Sequence, residues 1–278
     1  MIDFKGKTAL VTGGGAGMGR AIAETFGKLG AAVAVAEIEP KRAAAVRDAL
    51  SQAGIANLVV EADVRDTAQM AALAKQIEER FGKLDILVNN VGDFLGLSGP
   101  FSKSKPEDWE KLYEINLKHL FLVTHTMLPL IRKAGRGSSI INISSIEGFR
   151  GIPNNVVYGA FKAAVTGFTQ SLAVELGPEG IRINTIAPET TDTEQVQITN
   201  WTKPEYRDNT ERWIPLGRFG VPQDAAGCAV FLASELSAWV SGTTIHMDGA
   251  ALAAAGWYRT PTGRWTNVPV ITDQGLIF

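Results

Sequence analysis

Cysteine is almost absent from this chain of 278 residues: Cys228 stands alone. No internal disulfide can form, which fits a reducing compartment. The place of that thiol in the apolar run 225–233 predicts a packed core residue. Histidine is nearly as scarce. His119, His125 and His246 are spaced neither as i, i+4 nor near the cysteine, so no metal site is expected. Neither sign of charge dominates, since 27 Lys and Arg face 29 Asp and Glu for a net charge of −2. Such a balance provides no basic field for nucleic acid or for an anionic membrane. Long apolar runs are missing too: nothing approaches the ~20 residues of a membrane span, and the opening Met-Ile-Asp-Phe-Lys has no apolar signal core. These absences predict a cytoplasmic protein with neither nucleic acid nor membrane as partner. Internal repeats and low-complexity tracts are also lacking.

What the chain does have is 45% hydrophobic and 20% charged residues, enough apolar material for a large core. Short β-rich runs at 8–11, 32–36, 58–61, 86–89, 139–143, 182–186 and 244–247 alternate with amphipathic segments near 18–29, 40–53, 67–81, 106–133, 156–176 and 222–233. The alternation predicts an α/β fold: a single doubly wound Rossmann-like domain with a parallel seven-stranded sheet and helices on both faces. Ligands then belong at the carboxyl ends of the strands. Met127-Leu-Pro129 predicts a helix bent at its proline. Residues 1–249 are read as one catalytic domain holding cofactor and substrate sites together. Residues 250–278, apolar but without period, are read as a tail packed on that domain or on a neighbouring subunit, because Trp257, Tyr258 and Trp265 would be a liability in water.

The first predicted strand runs into Thr12-Gly-Gly-Gly-Ala-Gly-Met-Gly19 and then a helix. Glycines at 13, 17 and 19 let the backbone turn and approach a pyrophosphate, whose charge the helix N-terminus favours. The spacing is Gly-x-x-x-Gly-x-Gly, unlike the Gly-x-Gly-x-x-Gly of most Rossmann enzymes. Glu37, at the end of the second strand, suits adenosine ribose hydroxyls and would repel a 2′-phosphate, so NAD is favoured over NADP. Lys41 and Arg42, where the next helix begins, are either exposed helical cations or phosphate partners. Tyr158 and Lys162 stand at i and i+4 on a predicted helix and share a face. A phenol titrates near pH ~10, and an adjacent ammonium is expected to pull it toward neutral. Ser145, thirteen residues before the tyrosine, could hold a substrate oxygen beside it. Alternation along the strand turns Ser144 to the other side.

Together with Asp63, Asn89-Asn90-Val91-Gly92, Asn116 and Pro188, these residues make the chain resemble the classical short-chain dehydrogenases/reductases over almost its whole length. The resemblance implies a catalytic set of Asn116, Ser145, Tyr158 and Lys162. Ser145 would orient the substrate oxygen and Tyr158 would be the general acid/base. Lys162 would lower the tyrosine pKa and bind the nicotinamide ribose, and Asn116 would hold a water linking Lys162 to solvent. It further implies that Gly13, Gly17, Met18, Gly19, Glu37, Asp63, Val64, Asn90, Val91, Gly92, Pro188 and Thr193 contact the cofactor with Tyr158 and Lys162, and that the protein is a homotetramer. Departures are Val91 for the usual alanine and Glu189 for the usual glycine after Pro188, the second placing a carboxylate near the nicotinamide side. Glu147 either lines the pocket or is a solvated loop residue. The stretch 194–220, with Trp201, Tyr206 and Trp213, is read as a lid over the cleft in which each aromatic either meets substrate or anchors the loop.

The expected activity is NAD-dependent interconversion of a hydrophobic secondary alcohol and its ketone, with Tyr158 as acid/base. Alternatives are an NADPH-dependent ketone reductase of the same family and a catalytically silent nucleotide-binding regulator. The spacing of Tyr158 and Lys162 disfavours enoyl reduction.

Overall fold

A computed structural model describes residues 2–201, 210–256, 258–260, 263 and 265–266. Strands β1 (Thr8–Thr12), β2 (Ala32–Glu37), β3 (Asn57–Glu61), β4 (Ile86–Asn89), β5 (Ser139–Ile143), β6 (Arg182–Pro188) and β7 (Thr244–Met247) form one sheet in the order β3-β2-β1-β4-β5-β6-β7, parallel throughout. Every residue of β1, β4, β5 and β6 is buried. That is the physical counterpart of apolar runs without alternation, because helices cover both faces of a parallel sheet.

On one face α1 (Gly17–Lys28), α2 (Pro40–Gln52) and α9 (Pro222–Ala233) pack through Ile22, Phe26, Val46, Leu50, Ala229 and Leu232. The other face is covered by α3 (Thr67–Phe81), α5 (His119–Ala134) and α6 (Val156–Leu176), through Met70, Leu73, Ile77, Val123, Met127 and Leu176. From β1 the chain steps outward to β3 and then crosses back to β4. The direction of winding therefore reverses between β1 and β4, and a cleft opens at their carboxyl ends. Beneath it the layers are joined by polar side chains. Asn89 donates to Thr124 and Asn142, Asn142 to Thr169, and Thr185 to Thr169, each at 2.9 Å and fully buried.

The helix expected over 106–133 is not uniform. It comprises α4 (Pro106–Tyr113), five residues of π-helix at Glu114–Lys118, and α5, a helix that continues past Pro129 although the proline donates no backbone bond. The irregularity thus lies at Asn116, with its side chain drawn to a neighbouring loop, as insertions of this kind often are at functional sites. Short helices α7 (Ile198–Trp201), α8 (Thr210–Trp213) and α10 (Ala251–Ala254) and the antiparallel pair β8 (Tyr258–Arg259) and β9 (Trp265–Thr266) have no periodic signal. β8 lies against α8. Trp257, residues 261, 262, 264 and 267–278 of the tail, and Tyr206 lie outside the described residues. Cys228 is half-buried against the core and not sealed within it; burial raises its thiol pKa. Among the described residues no helix is long and apolar enough to cross a membrane.

Candidate active site

The cleft at the carboxyl ends of the strands has a volume of about 460 Å³. The loop after β1 brings Gly13, Gly17 and Met18 to its wall. Gly13 and Gly17 have φ of +61° and +52°, a region that costs little only for glycine. Gly19 lies behind this wall instead of in it. A Cβ there would stand 2.3 Å from the Gly13 carbonyl oxygen and 2.5 Å from Asn90 Nδ2, so glycine lets α1 close on the loop. Asn90 secures that loop from β4, its side-chain amide donating to the carbonyls of Thr12 and Gly13 at 3.0 and 3.2 Å. No side chain caps the start of α1, leaving its amide groups available to an anion. A cradle of bare backbone, closed behind and open in front, fits the pyrophosphate of a dinucleotide.

Glu37 ends β2 buried, with Oε2 accepting from the Gly15 N–H at 3.0 Å and Oε1 from Glu39 N–H at 3.1 Å. Arg42 lines the cleft beside it, its Nε 3.7 Å from Glu194 Oε2. Asp63 and Val64 form the next stretch of wall. Asp63 is engaged two-pronged by Arg65, at 2.7 to 3.1 Å, and those hydrogen bonds hold its carboxyl below the ordinary range. Sequence reasoning missed Arg65, which also lines the cleft; its signal was only its place two residues after Asp63.

The cleft also gathers Ser145, Tyr158 and Lys162 with Gly92 and Pro188, while Val91 and Thr193 stand against Gly13 and Gly17 of the cradle. Tyr158 and Lys162 share a face of α6, and Nζ lies 5.5 Å from the centre of the phenol ring. Lys162 is 3% exposed, and its ammonium donates to the Ile143 carbonyl at 3.4 Å. Room for it comes from Gly92, where a Cβ would stand 2.5 Å from Nζ. Ser145 shares the cleft with Tyr158, lowers the phenol's pKa, and accepts from the Glu147 N–H at 3.2 Å. Ser144 also lines the cleft, but its hydroxyl is committed elsewhere, donating to the Lys162 carbonyl at 2.7 Å and thereby tying β5 to α6.

One expectation requires correction. Tyr158 was expected below the usual phenol range, yet burial pushes it up to about 12, helped by Glu147 and Asp93 and opposed by Ser145. Burial also brings Lys162 down to about 8. Desolvation acts on both charged forms here and outweighs the pairing. Asn116 stands just behind the cleft wall and beside Lys162: a Cβ at Gly92 would lie 3.2 Å from its Oδ1 and 2.5 Å from Lys162 Nζ. Its Oδ1 accepts from Asp93 N–H at 3.1 Å, and Nδ2 donates to the carbonyls of Asp93 and Leu112 at 2.7 and 3.0 Å, clamping the loop after β4.

Glu147 is a wall residue and not a solvated one, and Glu189 lies beside it; Arg150 contacts both. From the stretch 194–220, Glu194, Gln195 and Val196 reach the cleft, and Gln195 donates to the Gly92 carbonyl at 3.4 Å. Trp201 and Trp213 do not line it. Trp213 instead meets Phe219 edge to face at 6.0 Å, the anchoring role. Phe94, Leu95 and Ile152 add apolar surface to the wall and were missed in the sequence because loop residues show no period. Phe94 stands edge-on to Tyr158 at 6.5 Å.

A family model described as enoyl-(acyl carrier protein) reductase matches residues 13–250. A 3alpha-hydroxysteroid dehydrogenase of Mediterraneibacter gnavus is 37% identical over 255 residues, 89% of this chain and 98% of that protein. A 3-oxoacyl-[acyl-carrier-protein] reductase of Aquifex aeolicus is 35% identical over 249 residues, again 89% and 98%. A solved 7 alpha-hydroxysteroid dehydrogenase complexed with NADH and 7-oxo glycochenodeoxycholic acid superposes with a TM-score of 0.82 at 33% identity, covering 89% of this chain and 95% of that one. With the glycine cradle, the Tyr158–Lys162 pair and the strand order in agreement, the chain belongs to the short-chain dehydrogenase/reductase family, oxidoreductases of CH–OH groups that bind a nicotinamide nucleotide.

Proposed function

We propose that the protein interconverts a hydrophobic secondary alcohol and its ketone with NAD as the hydride partner. The observation that carries this reading is the meeting of Ser145, Tyr158 and Lys162 in the one cleft that the glycine cradle also lines. A bound nicotinamide would accept or return the hydride and, when oxidised, place a positive charge near the phenol. In alcohol oxidation Tyr158 takes the hydroxyl proton while Ser145 holds the same oxygen; in ketone reduction Tyr158 returns it. Lys162 keeps a positive charge behind the phenol, a charge that favours the phenolate. The apolar wall of Phe94, Leu95, Ile152 and Val196 supports a hydrophobic body for the substrate. A hydroxysteroid is one such compound, in keeping with the relatives.

NAD over NADP is supported by the buried Glu37 carboxylate and by the partners of the two nearby cations, Glu194 for Arg42 and Asp63 for Arg65. A 2′-phosphate would meet one carboxylate directly and two cations already engaged. We also infer a homotetramer in the cytoplasm, since Trp239 is fully exposed and Val174 on α6 nearly so. We place the tail 250–278 at the active-site mouth of a neighbouring protomer.

The test is to add NAD or NADP to the protein with cyclic, aliphatic and steroidal secondary alcohols and follow the absorbance of the reduced cofactor. Turnover with NAD at least about tenfold more efficient than with NADP is expected, and Tyr158→Phe should lower it by a factor on the order of 100 or more. No turnover of any alcohol, or an unimpaired Tyr158→Phe, would remove the reading.

A further inference from the structure

Behind the wall nearest Tyr158, Arg150 joins two carboxylates carried by different loops. Its guanidinium donates to Glu147 through Nη2 at 2.7 Å and Nε at 3.2 Å, and Nη2 stands 2.8 Å from Glu189 Oε2. Glu147 belongs to the turn after β5, and Glu189 is the first residue beyond β6. Both acids line the cleft, whereas Arg150 is not among the lining residues. The two-pronged contact with Glu147 is a strong, partly buried one, and it raises the guanidinium above its ordinary pKa.

We propose that Arg150 is a positioning residue for the acid–base pair, holding Glu147 so that the Ser145 hydroxyl keeps its place and the carboxylate charge is screened from Tyr158. The inference rests on the reading of Tyr158 as the acid/base. One connection is mechanical. The Glu147 N–H donates to Ser145 Oγ at 3.2 Å, Ser145 and Tyr158 line the same cleft, and the Arg150 N–H closes the same turn on the Ile146 carbonyl at 3.2 Å. A guanidinium that pins the Glu147 side chain therefore steadies the backbone that orients Ser145.

The second connection is electrostatic. The charged groups that face Tyr158 are Glu147 from the turn after β5, Asp93 from the loop after β4, and Lys162 one turn along α6. Glu189 lines the same cleft from the end of β6. Glu147 and Asp93 both oppose a phenolate. Two carboxylates against one guanidinium leave one negative charge on this wall, and removal of Arg150 would leave two. In a desolvated cleft that extra charge acts at low effective dielectric.

The experiment is the pH profile of kcat/KM for oxidation of the best alcohol of the panel, measured on the full-length protein. Arg150→Gln should move the acid limb upward by on the order of one pH unit, a loss of about tenfold at a fixed pH on that limb and little at the plateau. Arg150→Lys should restore most of the profile. Glu147→Gln should move the limb downward, and the double variant should return it close to the wild-type position. A uniform fall at every pH, or a limb that Glu147→Gln leaves in place, would overturn the proposal. If Arg150→Gln loses its cooperative thermal transition, the direction of the Glu147→Gln shift decides alone. An active Tyr158→Phe would instead bring down the reading on which the inference stands, a result separate from an unmoved limb with Tyr158→Phe inactive.

Discussion

Lys162 shows how much of this site depends on space as well as charge. Its ammonium occupies the volume that any side chain at residue 92 would fill, since a Cβ there would lie 2.5 Å from Nζ. The obstructing atom is the end of a flexible side chain, so Gly92→Ala should fold and displace the ammonium. Thermal stability should change little while kcat falls at least about tenfold, because the cation that favours the phenolate has moved. Equal losses of stability and rate would argue for general damage instead. At 19 the outcome differs: the nearest atom to a new Cβ is the Gly13 carbonyl oxygen, a piece of backbone that cannot step aside.

Among elements, the π-helical turn and the start of α5 shape the catalytic site from behind. Asn116 clamps the loop after β4, and three residues later His119 is buried. Burial, together with the nearby charge of Lys162, brings the His119 pKa from 6.5 down to about 3. The folded protein therefore resists protonation of this imidazole where the unfolded chain does not. The stability conferred by a neutral His119 is fully present above pH 6.5 and is lost as pH falls from 6.5 toward 3. Between pH 7.5 and pH 5.0 the wild type should lose about 2 kcal/mol from this residue, at ~1.4 kcal/mol per unit. Denaturant titrations of wild type and His119→Leu at both pH values measure it. An identical acid dependence in the two proteins would show that the imidazole is not the source.

For the whole molecule the exposed apolar residues set the expectation. Trp239 and Leu236 precede β7, and Gly242 in the same segment lies against Ala173 of α6, next to the exposed Val174. A tetramer by light scattering is expected, with Trp239→Glu shifting the population to smaller species. Truncation after Ala255 should alter assembly or the Michaelis constant for the alcohol. A truncated protein unchanged in both would exclude the tail from any neighbour's active site.

The sheet and its six long helical segments were legible in the sequence because each obeys a local rule: unbroken apolar runs for β1, β4, β5 and β6, and helical apolar spacing between them. The cradle and the Tyr158–Lys162 pair were legible for the same reason, since neighbours in sequence share a turn or a helical face. What only the tertiary structure decided are relations between distant segments. The bridge from Glu147 through Arg150 to Glu189, the seating of Lys162 against Gly92 and the clamp of Asn116 on Asp93 join residues from separate loops and helices. The ionisation of Tyr158 and Lys162 belongs with them. Spacing announced their attraction, but the depth of burial that outweighs it exists only once the strands have closed over the site.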